Sequence, residues 1–433
     1  MQNNMLLIQL IVLFGVMFAF LLLRFPVFYS IGAAVCVFAV IYPGTVPTEV
    51  IGQGFIQGIC KNTFVAIIFY FLLGEIMNSG GITDRLLRFA QAAMGHVTGA
   101  LSHINIIASV IFAGVSGSAA ADTACIGSML IPMMKKQGYP PEYAAAITQC
   151  SAIIGPIIPP SAAIVLIATF MNVSVRRLLV GGIVPGLIIG LFELVTSYVI
   201  CKKRNYPKDK WHGWKLVWKE FKSAFWALIL PIVVCYCLVA GVGTIIEIGA
   251  IACLYAYIIS IFIYKDMKLK DFVKTFMGAA VQIARILSII AAAGAFTWLI
   301  SSVGFGKWFA AKAIEVGSTS TEVALFCMLV IFIAGMILDV NVIQMAIIPI
   351  MLPTVFATGV DTTMFGVVAI ITCMLGLNTP PVGQLIYMTA SIAECNSALV
   401  VKESVPYIVA VILVILLLTV CPQIVSFLPN LVC

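Results

Sequence analysis

Charged side chains are scarce in this chain: they make up 9% of its 433 residues, against 62% hydrophobic ones. A soluble protein needs a polar surface around its core, so a water-soluble fold is excluded. Apolar runs of roughly 20 residues have the length of a membrane-spanning helix and exceed that of a barrel strand. Because lipid offers no hydrogen bonds, spanning segments must satisfy their own backbone groups as helices. The sequence therefore predicts an all-α, multi-pass membrane protein.

Patterns typical of metal sites and disulfide frameworks are also lacking. The three histidines are far apart, and the thirteen cysteines scatter singly through apolar runs, which is typical of small buried hydrophobic residues. The N-terminal segment has no basic start and no small-residue cleavage site, so it is interpreted as the first span and not as a signal peptide. The net charge of +7 indicates membrane topology and not nucleic-acid binding.

Two proline-rich segments indicate an internal repeat. The first reads "IGPIIPPS" at 154–161, and the second reads "LGLNTPPVG" at 375–383. Proline and glycine fix backbone geometry, so their recurrence in one register points to two related halves. With an offset of 221 positions, the matched residues are Ala113-Gly114 with Ala334-Gly335, Pro132 with Pro353, Gly155 with Gly376, Pro159-Pro160 with Pro380-Pro381 and Pro185 with Pro406.

Hydropathy predicts the same plan in both halves. Each would have about five spans, one of them broken, and a pair of shorter apolar arms interpreted as a re-entrant helical hairpin. An odd number of crossings makes the two repeats inverted. The predicted divisions are scaffold spans 1–98, hairpin and broken helix 99–175 and span 178–201 in a first repeat 1–201, a connector 202–222, and scaffold spans 223–320, hairpin and broken helix 321–395 and span 404–428 in a second repeat 223–433.

The charge of the matched loops supports the inversion. The connection after the first span carries Arg24, whereas its counterpart at 241–244 is uncharged. The next connection, 43–50, has no base, whereas its counterpart at 265–274 has four lysines. Basic residues mark the cytoplasmic side of a membrane, so these loops have exchanged sides.

The exits of the two hairpins follow the same rule. The first carries Lys135 and Lys136, and the second carries no base up to Asp361. Arg176 and Arg177 depart from it, because this topology puts them on the outer side. The connector 202–222 is rich in Lys, Arg and Trp, which predicts a cytoplasmic amphipathic helix in the headgroup region. A plain topogenic loop is its alternative.

Broken helices in inverted repeats are typical of secondary transporters, whose substrates and ions bind near the midplane. Proline frees backbone carbonyls, and such hard oxygen ligands suit a small cation such as sodium. Intramembrane acids such as Asp122 and Asp339 indicate function, and helix N-termini at the breaks favour an anion. The residues thus predict an organic anion carried with sodium, although either aspartate could carry a proton instead.

The stretch "GVSGSAAADTACIGSMLIPMMKKQGYPPEYAAAITQCSAIIGPIIPPS", followed later by "LDVNVIQMAIIPIMLP" and "LGLNTPPVG", resembles the large membrane subunit of tripartite ATP-independent periplasmic (TRAP) transporters over essentially the whole chain. The resemblance implies an elevator-type fold in the bacterial inner membrane and sodium-driven uptake of a small carboxylate. It also implies two partners, a small membrane subunit and a periplasmic binding protein that delivers the substrate. The motif forms favour sialic acid or a related sugar acid, with a C4-dicarboxylate next.

The same resemblance implies the site residues. One sodium site would use Ser116, Ser118, Gly155 and Pro159. The other would use Asp339, Asn341, Gly376, Asn378, Thr379 and Gly383. The residues that would line the substrate are Ser118, Asp122, Ser161 and Asp339. No arginine lies near either break, so no basic partner for the carboxylate is identified.

Two other functions fit parts of the sequence. A stand-alone sodium/dicarboxylate carrier would share the repeats and the breaks but would need no partner proteins. An intramembrane serine hydrolase would use Ser116 or Ser118 as nucleophile and His103 as base, but His103 lies on the other hairpin arm and no third group orients it.

Overall fold

The computed structural model describes residues 2–23, 25–43, 48–60, 64–206, 213–268, 270–317 and 319–433, and its regular structure is helical throughout these ranges. The multi-pass, all-α class predicted from composition is confirmed. The helices of the first half are α1 (Gln2–Leu22), α2 (Val27–Ile41), α3 (Thr48–Ile59), α4 (Phe64–Ser79), α5 (Ile82–Met94), α6 (Ala100–Ser116), α7 (Ala119–Lys136), α8 (Pro141–Ala152), α9 (Ala162–Met171) and α10 (Val175–Lys203).

The second half begins with a long helix and ends with a short one that has no counterpart in the first. Two π-helical turns, Ile259–Ile263 and Ile343–Ile347, continue α12 and α16. Its helices are α11 (Trp214–Ala240), α12 (Ile245–Ile258), α13 (Asp271–Val303), α14 (Phe305–Val316), α15 (Ser320–Gly335), α16 (Val340–Val342), α17 (Ile348–Ala357), α18 (Thr362–Leu377), α19 (Gln384–Ala393), α20 (Ser397–Val420) and α21 (Gln423–Val432).

Helix order matches between the halves. The helix α6 begins at Ala100 and α15 at Ser320, while α10 begins at Val175 and α20 at Ser397, which agrees to within one residue with the 221-residue offset. One clear difference is that α13 is a single helix of 33 residues, where the first half has the separate helices α3 and α4. The orientation of each half in the membrane stays a prediction.

Helix lengths separate spanning elements from partial ones. Among the described residues, six helices are long and apolar enough to cross a membrane, or seven if α4 and α5, which meet at 65°, form one bent span. The helices next to the proline-rich segments are shorter: α8 has 12 residues and α9 has 10. At 1.5 Å per residue neither reaches across a hydrocarbon core of about 30 Å.

The connector and the first span of the second half are continuous. The helix α11 begins at Trp214 and runs through position 223, where the span was predicted to start. Trp214 and Trp218 are largely exposed, and Lys222 lies over the Trp218 ring at 5.7 Å. Residues 207–212 of the predicted connector lie outside the described part of the chain.

Most helix packing falls within two groups of helices, called bodies below, which also contact each other, for example through α4 with α6 and α9. The flanking body is α1–α4 with α11–α13, in which α13 packs along α2, α3 and α4. The core body is α6–α10 with α15–α21, in which α8 packs on α6, α7, α19 and α20. The helices α5 and α14 lead from one body to the other. Both bodies contain helices from both halves of the sequence.

Candidate functional site

The first break, residues 153–161, separates α8 from α9. It ends at Ser161, a buried N-cap whose Oγ accepts a hydrogen bond from Ile164 N at 3.1 Å and donates one to Pro156 O at 2.5 Å. The Pro159-Pro160 peptide is cis. Since proline has no N–H, α8 cannot continue through this segment, and the Ser161 hydroxyl satisfies backbone groups at the start of α9.

The tip of the first hairpin lies against this break. Gly117 has φ +57°, a conformation that glycine adopts without a steric penalty, and Ser118 caps α7 by accepting a hydrogen bond from Ala121 N at 3.4 Å. A Cβ at Gly117 would lie 3.2 Å from both Ala162 N and Pro160 O. The backbone of the tip therefore contacts the backbone of the break directly.

A carboxylate is packed beneath the first break. Asp122, in the first turn of α7, is 2% exposed. A Cβ added to Gly155 would overlap Asp122 Oδ2. Glycine at 155 thus makes room for the carboxylate, which joins two residues that the sequence assigned to different sites.

The second hairpin meets the second break, residues 378–383, through backbone contacts. Val382 N donates a hydrogen bond to Met336 O at 3.1 Å. Gly335 and Gly376 face each other so closely that a Cβ at Gly376 would overlap the Gly335 backbone. The Pro380-Pro381 peptide is cis.

Asp339 begins the second arm of this hairpin. Its Oδ1 accepts hydrogen bonds from Asn341 N at 2.9 Å and from Asn341 Nδ2 at 2.8 Å. This N-cap arrangement holds the carboxylate at the helix start, where the backbone carries partial positive charge. Asp339 and Ser118 occupy equivalent positions in the two halves, and both act as caps.

The second break holds a buried oxygen that suits a cation. Asn378 is 1% exposed, and its Nδ2 donates to Gln149 O at 3.0 Å. Its Oδ1 is also buried and accepts no hydrogen bond from the described residues. A buried polar atom usually has a partner, and an amide oxygen is a hard ligand of the kind that sodium accepts. Asn378 therefore fits the predicted second sodium site.

Gln149 connects α8 to three helices of the second half. Besides its backbone bond to Asn378, its Nε2 donates to Ser404 Oγ at 2.7 Å and its Oε1 accepts from Thr389 Oγ1 at 3.0 Å. All four side chains are buried. The two broken helices are thus joined by Gln149, whose amide nitrogen and oxygen both form hydrogen bonds and which the sequence analysis did not identify.

A cavity of about 100 Å³ lies where both hairpin tips, the first break, the helix ends on either side of the second break and the flanking body meet. It is smaller than typical ligand pockets of roughly 300 Å³ or more, so a sugar-sized ligand would need it to widen. The flanking body contributes Ile67, Phe71 and Ile286. The first half of the core body contributes Gly117, Ser118, Ala119, Ala120, Pro156, Ala162, Ala163 and Leu166, from the hairpin, the break and α9. The second half contributes Asp339, Val340, Asn341, Met374, Leu377, Gln384 and Leu385, from the hairpin, α18 and α19.

Three of the predicted site residues line this cavity: Ser118, Asp339 and Asn341. Asp122 and Ser161 are also buried, but they do not line this cavity. Gln384 was not predicted, although its position directly after the second break marked it as a polar residue at a helix start.

The remaining predicted ligands lie in the breaks. Pro159 O accepts a weak hydrogen bond from Cys235 Sγ at 3.7 Å, and Thr379 Oγ1 donates to Leu375 O at 2.8 Å. Gly383 has φ +45° and begins α19. The side chain of Ser116 lies outside what the structure describes.

The residues of the hydrolase alternative are far apart. His103 lies in the first turn of α6, and its Nε2 is 3.2 Å from Thr98 O. Ser118 follows the other end of that helix, about 20 Å away at 1.5 Å per residue. A base must reach its nucleophile within hydrogen-bonding distance, so this pair does not form a catalytic site.

Comparison with known families gives a match over almost the whole chain. Residues 14–424 match the family described as "Tripartite ATP-independent periplasmic transporter, DctM component". The sialic acid TRAP transporter large permease protein SiaM of Vibrio cholerae is 31% identical over 88% of this chain and 89% of its own length. The C4-dicarboxylate TRAP transporter large permease protein DctM of Rhodobacter capsulatus is 29% identical over 97% and 99%.

A longer relative and a solved structure are also similar. The sialic acid TRAP transporter permease protein SiaT of Haemophilus influenzae is 32% identical over 85% of this chain, but the match spans only 60% of that relative's length. The crystal structure of the YdaH transporter of Alcanivorax borkumensis has a TM-score of 0.62 at 12% identity, over 85% of this chain and 86% of that one. At this identity the likeness concerns the fold.

Proposed function

The chain belongs to the family of tripartite ATP-independent periplasmic transporters, DctM component, and from this premise we propose that it is the large permease subunit of a sodium-coupled importer of a small organic anion. The family consists of transport proteins and not of enzymes. The proposed partners are a small membrane subunit and a periplasmic binding protein that delivers the substrate. The proposed location is a bacterial inner membrane.

Sodium coupling is supported by the oxygen atoms at the second break. The carboxylate of Asp339 lies at the start of the second hairpin arm, and the free Oδ1 of Asn378 is buried in the break that packs on that hairpin. Met336 and Val382 join the two segments by a backbone hydrogen bond. A bound sodium ion would neutralise the carboxylate and occupy the unused amide oxygen.

An anionic substrate is supported by the ends of the helices around the cavity. The first residues of α7, α9 and α19 all line it, and each presents backbone N–H groups of a helix N-terminus. Such groups bind carboxylates without a basic side chain. Bound sodium would offset the charge of the substrate, so that both enter the membrane interior as a nearly neutral set.

The favoured substrate is sialic acid or a related sugar acid, with a C4-dicarboxylate next. The "ADTA" after the first tip and the "IGPIIPPS" of the first break support this order. Two of the relatives described above carry sialic acid in their names and one carries C4-dicarboxylate.

An elevator mechanism is supported by the division into two bodies. The core body holds both hairpins and both breaks, and the flanking body contributes one apolar wall to the cavity through Ile67, Phe71 and Ile286. Apolar side chains without hydrogen bonds allow one surface to slide along another. The core body would carry substrate and sodium past this wall.

The decisive experiment replaces Asp339. The transporter would be reconstituted in proteoliposomes with its small subunit and binding protein, and uptake of radiolabelled sialic acid would be measured with and without a sodium gradient. We expect Asp339→Ala to abolish sodium-dependent uptake while the protein still inserts into membranes. The matched control is Glu394→Gln, which removes the charge of an exposed acid at the C-terminal end of α19. This variant should show normal uptake. Wild-type uptake by Asp339→Ala would remove the sodium assignment.

The stand-alone carrier is the second candidate. Uptake by the chain alone, at the rate of the complete system, would favour that carrier and contradict the tripartite proposal. Uptake that requires both added partners would exclude it.

A further inference from the structure

Arg176, in the first turn of α10, contacts the ends of two other helices. Its Nε donates a hydrogen bond to Leu238 O at 2.9 Å, and its Nη2 donates to Val239 O and to Val432 O, each at 3.0 Å. The guanidinium also packs against Gly241, where a Cβ would lie 2.8 Å from Arg176 Cζ. Gly241 has φ +69° and ends α11.

These contacts cross the boundary between the two bodies. Arg176 and Val432 belong to the core body, through α10 and α21, whereas Leu238 and Val239 belong to the flanking body, through α11. The last carbonyls of a helix lack intrahelical partners and carry partial negative charge. A guanidinium satisfies several of them at once, and such charge-assisted bonds are stronger than neutral ones.

The neighbouring arginine makes no such crossing. Arg177 Nε donates to Thr363 Oγ1 at 3.0 Å, and its Nη2 donates to Asn430 Oδ1. Both partners lie in the core body, on α18 and α21. Both arginines thus form hydrogen bonds to neighbouring helices, Arg177 within the core body and Arg176 between the two bodies.

We propose that Arg176 is a conformational latch, which holds α10 of the core body to the end of α11 in the conformation seen here and must release for the bodies to slide. This inference rests on the elevator movement proposed above. A movement of more than a few ångströms would break the bonds to Leu238 and Val239, because hydrogen bonds are lost beyond about 3.5 Å. The bond to Val432 would move with the core body.

Hydrogen-deuterium exchange of the purified full-length chain in lipid nanodiscs tests the latch without sodium or substrate. Two segments are compared: 236–244, next to the Arg176 contacts, and 340–347, where Thr297 of the flanking body donates to Met345 O at 2.9 Å. For Arg176→Ala we expect faster exchange in both segments, with a roughly tenfold shift in the ratio of closed to open states from the lost charge-assisted bonds. Arg177→Ala should leave the segment 340–347 unchanged.

The outcomes separate a latch from a local cap. Faster exchange confined to 236–244 would mean that Arg176 only caps α11, and equal effects of Arg176→Ala and Arg177→Ala would mean general loosening of the core body; either result overturns the proposal. Arg176→Lys keeps the charge but not the fork of donors, so it should give a smaller shift and carries the test if the alanine variant does not fold. Failed uptake with a positive exchange result rejects the sodium-coupled function alone, and working uptake with a negative exchange result rejects the latch alone.

Discussion

The two hairpin-and-break pairs share their backbone plan but are held together by different chemistry. In the first half a buried polar cluster joins α6 to α8: Asn105 Nδ2 donates to Thr148 Oγ1 at 2.7 Å and Ser151 Oγ donates to Asn105 Oδ1 at 3.1 Å. The residues 221 positions after Asn105 and Thr148 are Phe326 and Ala369.

In the second half the matching side-chain contact is smaller: Thr372 Oγ1, 221 residues after Ser151, donates to Met328 Sδ at 3.5 Å, and the backbones pack closely. Gly335 and Gly376 bring α15 and α18 together, and the hydrogen bond from Val382 N to Met336 O fastens the break to the hairpin. Repetition of proline and glycine thus preserves the path of the chain, while the side-chain contacts differ between the halves.

The largest expected difference between the halves is the side of the membrane on which their equivalent turns lie, because the second repeat is predicted to be inverted. Gly138 and Gly359 occupy equivalent turns, 221 positions apart, and both have open space around them. A protease site inserted at each turn should be cut from opposite sides of the membrane in spheroplasts, at 359 by external protease and at 138 only after lysis. Cleavage of both sites from one side would remove the inverted relation between the halves.

The next effect concerns Gly155, in the first break, and its counterpart Gly376, at the end of α18. Gly376→Ala places a methyl group in the Gly335 backbone, which cannot move aside, and overpacking of this kind should lower the free energy of unfolding by about 3 kcal/mol. Gly155→Ala meets the Asp122 side chain instead, so Asp122→Ala should restore much of its stability. Thermal unfolding in detergent measures both. Equal losses without rescue would contradict the distinction between backbone and side-chain packing.

A smaller effect is expected in the polar cluster. Asn105→Leu leaves the buried hydroxyls of Thr148 and Ser151 without their amide partner and should cost about 2 kcal/mol of unfolding free energy. Phe326→Leu, at the equivalent apolar position, should cost less than about 1.5 kcal/mol. The same unfolding assay compares the two variants. A larger loss at Phe326 would contradict the greater importance of side-chain hydrogen bonds in the first half.

The smallest effect belongs to the cap of α9. Ser161→Ala removes the hydroxyl that bonds Ile164 N and Pro156 O, with an expected loss of about 1 kcal/mol. Val382→Ala, 221 residues later, keeps the backbone bond to Met336 and should lose less. If the two losses are the same, the Ser161 hydroxyl adds nothing to the first break.

Much of this architecture was readable in the sequence because backbone-breaking residues act locally. Pro159-Pro160 and Pro380-Pro381 predicted where helices end, and the pair of shorter apolar arms in the first half corresponds to α6 and α7. The membrane class and the family are confirmed. The orientation of the halves and the ligand roles of the site residues stay predictions.

What the sequence did not reveal depends on contacts between distant segments. The overlap of Asp122 with Gly155, the bonds of Gln149 and the bridging role of Arg176 each join residues that only the fold brings together. A glutamine in an apolar helix, or an arginine in the first turn of a helix, has no local pattern that identifies its partner. Gln384 could have been predicted from the sequence, since it is a polar residue directly after the second break.

Gln149 has a consequence for how the protein can be assembled. Its side chain forms hydrogen bonds with Thr389 and Ser404, and its backbone oxygen accepts one from Asn378, so these partners of a first-half residue all belong to the second half. During synthesis the ribosome completes the first half before Thr389 and Ser404 exist, so the Gln149 amide lacks these two hydrogen-bond partners until the second half is made. The helices α19 and α20 thus supply buried hydrogen-bond partners to the first half, and we expect neither half to fold fully without the other.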